Sequence, residues 1–384
     1  MASENKRQLR TGRVGVAELT ALLTIYTATD VFLSYPARVA AETATSAWMI
    51  PLVSGTIVLA AFLIMHACMR GFPDHDILQL ADRFLTPYVA VPLALLLVAF
   101  LFFQTALTMR EFTETVVTTV LPTTPAVLVA LTFLLVALYY AHKGLEGLTR
   151  VAILLAAVFA VGIAALLLLP MTWFDSRLLL PLAGRGVAST LYYGAVNSSM
   201  FLNVLMLAVT YKSVRNQEHF LRAGTVSIIV TAVLMSLVVV VYLGTFGSAP
   251  TGRTPFPLYQ LARLIYVGRF IQRLEAVFVF LWVAAAVLKM GCGLWFTAYL
   301  YAAAFRMPVY RPLLYAIALS LFIISFLPPD LVTVQTLSAR YVERFGWIVT
   351  VAVPVAIVAA AYSIDRVKQA RAKRGSRNAG GVQE

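Results

Sequence analysis

The chain of 384 residues is 61% hydrophobic and only 12% charged, and its mean hydropathy of +0.85 excludes a soluble globular domain of this length. Its formal net charge of +13 would suit nucleic-acid binding in a soluble protein, but here the basic residues lie between apolar runs and in a tail without interleaved aromatic residues. We therefore predict an all-α integral membrane protein that does not bind nucleic acid.

Ten apolar runs are long enough to cross a hydrocarbon core of about 30 Å, which takes roughly 20 helical residues. We number the predicted helices 1 to 10 in chain order, and they lie at 14–36, 47–69, 87–109, 125–141, 151–171, 187–211, 223–247, 272–304, 312–328 and 345–364. The first run follows a basic segment but lacks a small-residue cleavage site, so we expect it to be retained rather than removed as a signal peptide.

The distribution of basic residues predicts the orientation. Of 30 Lys and Arg residues, 19 fall on the side that holds both termini and ten on the other, an excess typical of the cytoplasmic side. The prediction is a cytoplasmic N-terminal segment at 1–13, a transmembrane domain at 14–364 and a basic cytoplasmic tail at 365–384. We expect the tail to contact anionic membrane lipid.

Ten helices with both ends on one side divide into two sets of five that enter the membrane in opposite directions. We place the first repeat at about 14–171 and the second at about 187–364. In such 5+5 inverted repeats, discontinuous helices place freed backbone groups at a midplane binding site. This plan predicts that helices 1 and 6 are both broken, at the same depth.

Helix 1 carries a polar stretch just beyond its midpoint, formed by Thr27, Ala28, Thr29 and Asp30. Small and hydroxyl-bearing residues weaken helical continuity because their side chains compete for backbone hydrogen bonds. We predict that these four residues line a ligand site. The alternative is that such residues only let helices pack closely, which is common in membranes.

Helix 3 ends on the outer side in a group of charges, Arg110, Glu111 and Glu114, which we interpret as an interfacial cluster. Gln104 lies one or two turns deeper in the same helix. We predict that Gln104 contributes to the lining of the site.

Helix 6 has its midpoint near Ser198, within the stretch GAVNSS. Its small and polar residues match those of helix 1 in depth, which favours a second break. We therefore add Tyr193, Gly194, Asn197 and Ser198 to the predicted ligand-binding residues. For Tyr193, simple packing in the core is the competing interpretation.

The long connection at 248–271 is predicted to lie on the outer face. Pro255 and Pro257 interrupt any continuous helix there, while LYQLARLIYV has the apolar spacing of an interfacial helix. We expect this connection to cap the external mouth of the protein.

Helix 8 contains Lys289 near its midpoint, and charges at that depth are functional candidates by default. Counting about 1.5 Å per residue, Asp30 and Lys289 differ by only about 5 Å along the membrane normal. Three interpretations remain open. The two residues neutralise each other, or they hold the carboxylate and amine of a ligand, or Lys289 alone acts as a fixed cation where a transporter would bind an ion.

Cofactor and metal motifs are missing from the sequence. The two cysteines, Cys68 and Cys292, lie in apolar stretches and are expected to pack, and there is no CxxC, HExxH or phosphate-binding loop. The loop PDHD at 73–76 places His75 between two acids, but neighbouring residues in a short loop seldom converge on one ion. We expect no cofactor, no metal and no enzymatic activity.

Several segments resemble a known family. They are MREFTETVVTTVLPTTP at 109–125, YYAHKGLEGLTR at 139–150, PLAGRGV at 181–187 and PFPLYQLARLIYVGRFIQRLEAVFVFLWV at 255–283. These segments are similar to the spore germination proteins, the integral membrane B subunits of nutrient germinant receptors in endospore-forming bacteria. The resemblance runs from helix 1 to helix 8 in consistent order.

The resemblance implies a member of the amino acid–polyamine–organocation superfamily that binds a small nutrient, often an amino acid, between broken helices 1 and 6. It also implies a location in the spore inner membrane and partnership with an A subunit and a lipoprotein C subunit. A proton-coupled amino acid transporter of the same fold is the alternative function.

One departure from the family concerns the helix 1 break. The family has glycines there, in a pattern like GxGIxxxP, whereas this chain reads ATDVFLSYP at 28–36. Glycine lets backbone amides approach a ligand carboxylate, and Asp30 would repel one unless it is neutralised. The departure favours a cationic or amine-bearing nutrient.

Overall fold

The computed structural model describes residues 14–73, 75–214, 216–248, 256–265 and 274–380. The predicted N-terminal segment at 1–13 lies outside the described residues, as do 249–255 and 266–273 of the outer connection and the last four residues of the tail. Within the described ranges the regular structure is helical, apart from one bridge between Val14 and Val214. The prediction of an all-α membrane protein is confirmed.

The longer helices are numbered in chain order. They are α1 (Val16–Ala28), α2 (Tyr35–Thr43), α3 (Met49–Met69), α4 (Ile77–Phe84), α5 (Pro87–Thr119), α6 (Ala126–Leu168), α7 (Val187–Val196), α8 (Asn203–Thr210), α9 (Gln217–Phe246), α10 (Pro257–Arg263), α11 (Leu274–Ala304), α12 (Arg311–Ser325), α13 (Leu331–Leu337), α14 (Arg344–Trp347) and α15 (Val353–Gly380). By the predicted orientation, we call the membrane side nearer α2 the outer side.

Length and hydropathy identify seven membrane-crossing helices in the described residues, or eight if the bent pair of α1 and α2 is one span. The predicted ten are reached only by two further steps. One counts the short α12, and the other divides α6, whose 43 residues would extend about 65 Å as a straight helix. The number of ten and the bounds of the two repeats therefore stay predictions.

The division of α6 has a local cause at Gly144. This residue has φ 75° and ψ −172°, a backbone conformation that is essentially restricted to glycine. It separates the two apolar runs that the sequence predicts as helices 4 and 5. A β-carbon at this position would also lie 2.8 Å from the hydroxyl oxygen of Tyr310.

We expect Gly144→Ala to lower the free energy of unfolding by about 1–3 kcal/mol, the range for residues forced into sparsely populated backbone regions. Reversible unfolding in mixed detergent micelles measures this. Two causes contribute to this loss, the strained backbone and the contact with the Tyr310 hydroxyl. The double variant with Tyr310→Phe removes the hydroxyl, so it recovers the steric part of the loss and leaves the backbone strain. A Gly144→Ala protein as stable as wild type would show that the kink is not needed.

The core is arranged around α11, which packs against α5, α6 and α12. Almost every side chain of α11 from Leu281 to Leu300 is buried, as expected for a helix surrounded by others rather than by lipid. α1 packs on α6 and α9, and α3 packs on α7 and α9. α1 and the segment that follows it also contact α11 directly.

The two broken helices of the prediction are present. α1 continues through a 3₁₀ segment at Thr29–Phe32 and then bends by 68° into α2. α7 continues through a 3₁₀ segment at Asn197–Met200 and resumes as α8. The prediction that helices 1 and 6 are both interrupted is therefore confirmed.

The last membrane span differs from its predicted extent of 345–364. It begins at Leu331 and contains two π-helical segments, Ser338–Glu343 and Ile348–Ala352. α15 itself continues to Gly380, within the predicted basic tail at 365–384. π-helical turns are rare in proteins, and those that occur often lie at functional sites.

Candidate functional site

The helix 1 break follows from its sequence. The hydroxyl of Thr29 donates a hydrogen bond to the carbonyl of Ile25, 2.5 Å away, and the helix then tightens to 3₁₀ geometry. Pro36 lies in the first turn of α2, where its missing N–H removes no helical hydrogen bond. Hydroxyl and proline chemistry therefore end one helix and begin the next within a few residues.

Asp30 and Lys289 form a buried ion pair at this break. The Nζ of Lys289 lies 2.5 Å from Oδ1 of Asp30, and the two side chains are 3% and 6% exposed. The ammonium also lies 4.7 Å from the centre of the Tyr26 ring, a favourable cation–π position. The first of the three interpretations, mutual neutralisation, thus describes the geometry of the pair.

Two buried oxygen atoms near the pair have no hydrogen-bond partner among the described residues. They are Oδ2 of Asp30 and Oε1 of Gln104. Both side chains line one small cavity between the break and α5. Both oxygens are therefore available to accept a hydrogen bond from a donor in the cavity.

The cavity measures about 30 Å³, the volume of about one water molecule. The residues around it come from the broken helix 1, from α5, from the helix 6 break and from the first π-helical segment. They are Asp30, Leu33, Ser34, Tyr35, Arg38, Gln104, Leu107, Thr108, Glu111, Met200, Ser338, Val342 and Glu343. In this conformation the cavity is too small for an amino acid.

Glu111 lies at the cavity, which corrects the interpretation of an interfacial charge cluster. Its Oε1 accepts a hydrogen bond of 2.7 Å from Ser34, and the residue is only 8% exposed. Arg110 is buried as well and pairs with Glu114 at 2.8 Å. In the described part of the chain Glu111 forms no salt bridge, so its carboxylate faces the cavity without a paired cation.

Arg38 closes the outer side of the cavity. Its guanidinium forms a salt bridge with Glu343 of the first π-helical segment and donates to Oδ1 of Asn197 at 3.4 Å. Asn197 in turn donates from Nδ2 to Glu42 at 3.2 Å. Side chains of α2, of the helix 6 break and of the last span are thereby joined across the outer face of the site.

The other predicted site residues have different surroundings. Thr27 donates to Oδ1 of Asn203 on α8 at 2.9 Å, and Ala28 is fully buried. Gly194 packs against Val53 so closely that a β-carbon would lie 2.5 Å from it. None of these residues borders the cavity in the described conformation.

Two further predicted residues are engaged within helix 6 itself. The hydroxyl of Ser198 donates to the carbonyl of Ala195 at 2.6 Å. The carbonyl of Tyr193 accepts from Asn197 at 2.9 Å, and the half-buried Tyr193 ring packs edge-on against Tyr192. The structure thus brings Asp30, Gln104, Asn197 and Lys289 to one region and leaves the other six in supporting contacts.

A second group of polar contacts lies near the C-terminal ends of α8 and α11. Oδ2 of Asp76 lies 2.7 Å from Nζ of Lys212 and accepts a hydrogen bond of 2.9 Å from Tyr299. Asp76 also caps α4 by accepting from the N–H of Gln79. Asp76 of the PDHD loop is therefore engaged in an ion pair, and no group of three or more metal-ligand side chains occurs in the described residues.

Comparison with known proteins adds to this picture. A family model described as spore germination protein matches residues 13–334. The spore germination protein KB of Bacillus subtilis (strain 168) is 21% identical over 318 residues, which cover 82% of this chain and 84% of that protein. A putative spore germination protein of the same organism, YfkT, is 22% identical over 254 residues, 66% of this chain and 70% of that one.

Among solved structures, a substrate-bound, outward-open Na⁺-coupled sialic acid symporter is similar in fold. Its TM-score is 0.66 over 92% of this chain and 90% of that one, at 10% sequence identity. At this identity the similarity concerns the fold alone. The helix arrangement is that of a transporter, as predicted.

Proposed function

The chain belongs to the spore germination protein family, and from this premise we propose that it is the membrane subunit of a spore nutrient germinant receptor. In this proposal a small amine-bearing nutrient, an amino acid or an amine, binds at the cavity beside the helix 1 break. Binding changes the conformation and so signals germination. The protein would lie in the spore inner membrane with both termini in the cytoplasm.

The observation that carries the ligand class is the set of acceptors around one cavity. Oδ2 of Asp30 and Oε1 of Gln104 are without partners in the described chain, and Glu111 has no salt bridge there. An ammonium group offers three donors and no acceptor, and it would match these three oxygen-bearing side chains. Arg38, across the cavity, would suit a ligand carboxylate.

The small size of the cavity supports signalling by a conformational change. Since it has room for about one water molecule, a nutrient must separate Arg38 from Glu343 or widen the helix 1 break in order to enter. A ligand shifts such an equilibrium only by as much as it binds the widened state more tightly. The proposed A and C subunits would receive this change.

The ligand class is tested with four compounds of similar carbon chain. Ornithine carries two amines and a carboxylate, and norvaline carries one amine and a carboxylate. 1,4-Diaminobutane carries only amines, and pentanoate carries only a carboxylate. We expect the amines to raise the unfolding temperature of the purified protein and pentanoate to leave it unchanged.

Glu111→Gln is expected to weaken amine binding about tenfold or more, because a hydrogen bond to a charged group contributes about 1.5–3 kcal/mol. Glu114→Gln is the matched control, since Glu114 lies one turn away and pairs with Arg110 instead. Stabilisation by pentanoate alone, or equal effects of the two variants, would contradict the proposed ligand class.

A proton-coupled transporter of amino acids is the second candidate, favoured by the transporter fold. Uptake by proteoliposomes that contain only this chain separates the two functions. Concentrative uptake driven by a pH gradient would favour the transporter. Ligand-dependent stabilisation without uptake, together with co-purification of the A and C subunits, would favour the receptor.

A further inference from the structure

A second cavity lies between α6, α10 and α11 and shares no lining residue with the polar site. Its volume is about 260 Å³, roughly that of nine water molecules. The described residues that line it are apolar. They include Val158, Val161, Gly162 and Ala165 of α6 and Phe278 and Leu281 of α11, with Ala262 and Ile265 at the α10 side.

The position of this cavity in the membrane indicates which molecules can enter it. It lies in the outer part of two membrane-crossing segments, Ala126–Trp173 and Phe278–Ala304. Two of the lining residues, Val161 and Phe280, are 70% and 74% exposed, so the cavity opens toward lipid hydrocarbon. Water needs polar partners to remain in a cavity, whereas hydrocarbon gains dispersion contacts with every wall.

A basic residue directly follows the cavity lining in the chain. Arg263 is exposed at the C-terminal end of α10, and it follows the lining residue Ala262 directly in the chain. α10 is held on the outer side by a hydrogen bond of 3.0 Å from Tyr259 to the carbonyl of Thr119. A guanidinium at this level is complementary to a lipid phosphate.

The cavity wall is connected to the helix 1 break by aromatic contacts. Phe278 packs edge-on against Phe32, with ring centres 5.4 Å apart, and Phe32 packs edge-on against Phe159 at 5.8 Å. Phe32 belongs to the 3₁₀ segment that contains Asp30. A group that packs on Phe278 therefore also supports the 3₁₀ segment that forms the break.

We propose that this cavity binds one acyl chain of a membrane phospholipid, whose phosphate pairs with Arg263, and that the chain supports the packing of Phe278 on Phe32. The site is separate from the nutrient site and does not depend on the proposed receptor function. It makes the helix 1 break responsive to the lipid around the protein.

The test is photo-crosslinking of the full chain in nanodiscs that contain a trace of phosphatidylglycerol with a diazirine on one acyl chain. We expect labelled peptides from 158–169 and 278–281. Ala165→Trp fills the cavity and is expected to reduce this labelling at least fivefold. Leu154→Trp, on the same helix at a lipid-facing position that is 75% exposed, is expected to change it less than twofold.

A second variant keeps the test decisive if Ala165→Trp does not fold. Arg263→Gln alters an exposed side chain and is expected to remove the preference of the site for phosphatidylglycerol over a diacylglycerol with the same diazirine. Labelling spread evenly over the lipid-facing helices, or unchanged by both variants, would overturn the proposal. Equal labelling by the two lipids in the wild type would overturn the role of the phosphate.

Discussion

Asp30→Asn is expected to destabilise the protein by about 3–5 kcal/mol, the usual loss when one partner of a buried ion pair is removed. The variant keeps the size of the side chain but leaves the ammonium of Lys289, only 3% exposed, without a countercharge inside the membrane span. The cation–π contact with Tyr26 remains but is too weak to replace the carboxylate. Reversible unfolding in mixed detergent micelles measures the loss.

Replacing both partners distinguishes a structural pair from a ligand site. In Asp30→Leu with Lys289→Met no charge is left uncompensated, and we expect most of the lost stability to return. If the pair is also part of the nutrient site, this stable double variant no longer responds to amines. A double variant with restored stability and a normal response would confine the pair to a structural role.

The meeting of Asp30 and Lys289 could be predicted from the sequence, but its role could not. Depth counting along helices 1 and 8 predicted that Asp30 and Lys289 could meet, and they do, at 2.5 Å. The counting succeeded because α1 and α11 cross the membrane side by side near this level. Counting cannot decide whether a ligand shares the pair, because that depends on oxygen atoms such as Oδ2 of Asp30 and on the cavity beside them.

The surroundings of charged residues near the ends of predicted helices could not be predicted from the sequence. Glu111 was predicted to belong to an interfacial cluster, and Arg38 follows the predicted end of helix 1 at residue 36. The 68° bend carries Arg38 across the site instead of out of the membrane. α5 has 33 residues and extends about 50 Å, so charges near its outer end are covered by neighbouring helices.

Glu343 shows a second limit of sequence reasoning. It lies two residues before the predicted start of helix 10, yet it is 4% exposed and borders the cavity. Ser338, Val342 and Glu343 line the same wall, and all three lie within one π-helical segment. Hydropathy gives no signal for such a turn, because it changes the backbone hydrogen bonds without changing the composition.

The salt bridge of Arg38 and Glu343 predicts how the site opens. We expect Arg38→Met to raise the accessibility of the cavity from the outer side at least tenfold, because close charge pairs couple by about 1.5–7 kcal/mol and about 1.4 kcal/mol is a factor of ten. The measurement uses Met200→Cys, a buried position in the cavity wall, in a chain with Cys68→Ser and Cys292→Ala. The rate of reaction with a membrane-impermeant thiol reagent reports opening.

Non-additive reaction rates would identify the salt bridge of Arg38 and Glu343 as the contact that keeps the outer side closed. If Arg38 and Glu343 hold the outer side closed together, Glu343→Gln raises the rate as well, and the double variant reacts little faster than either single one. Arg340→Met is the control, since Arg340 is an exposed cation of the same π-helical segment. Equal rates in Arg38→Met and Arg340→Met would mean that another contact, such as Asn197 with Glu42, keeps the nutrient site closed.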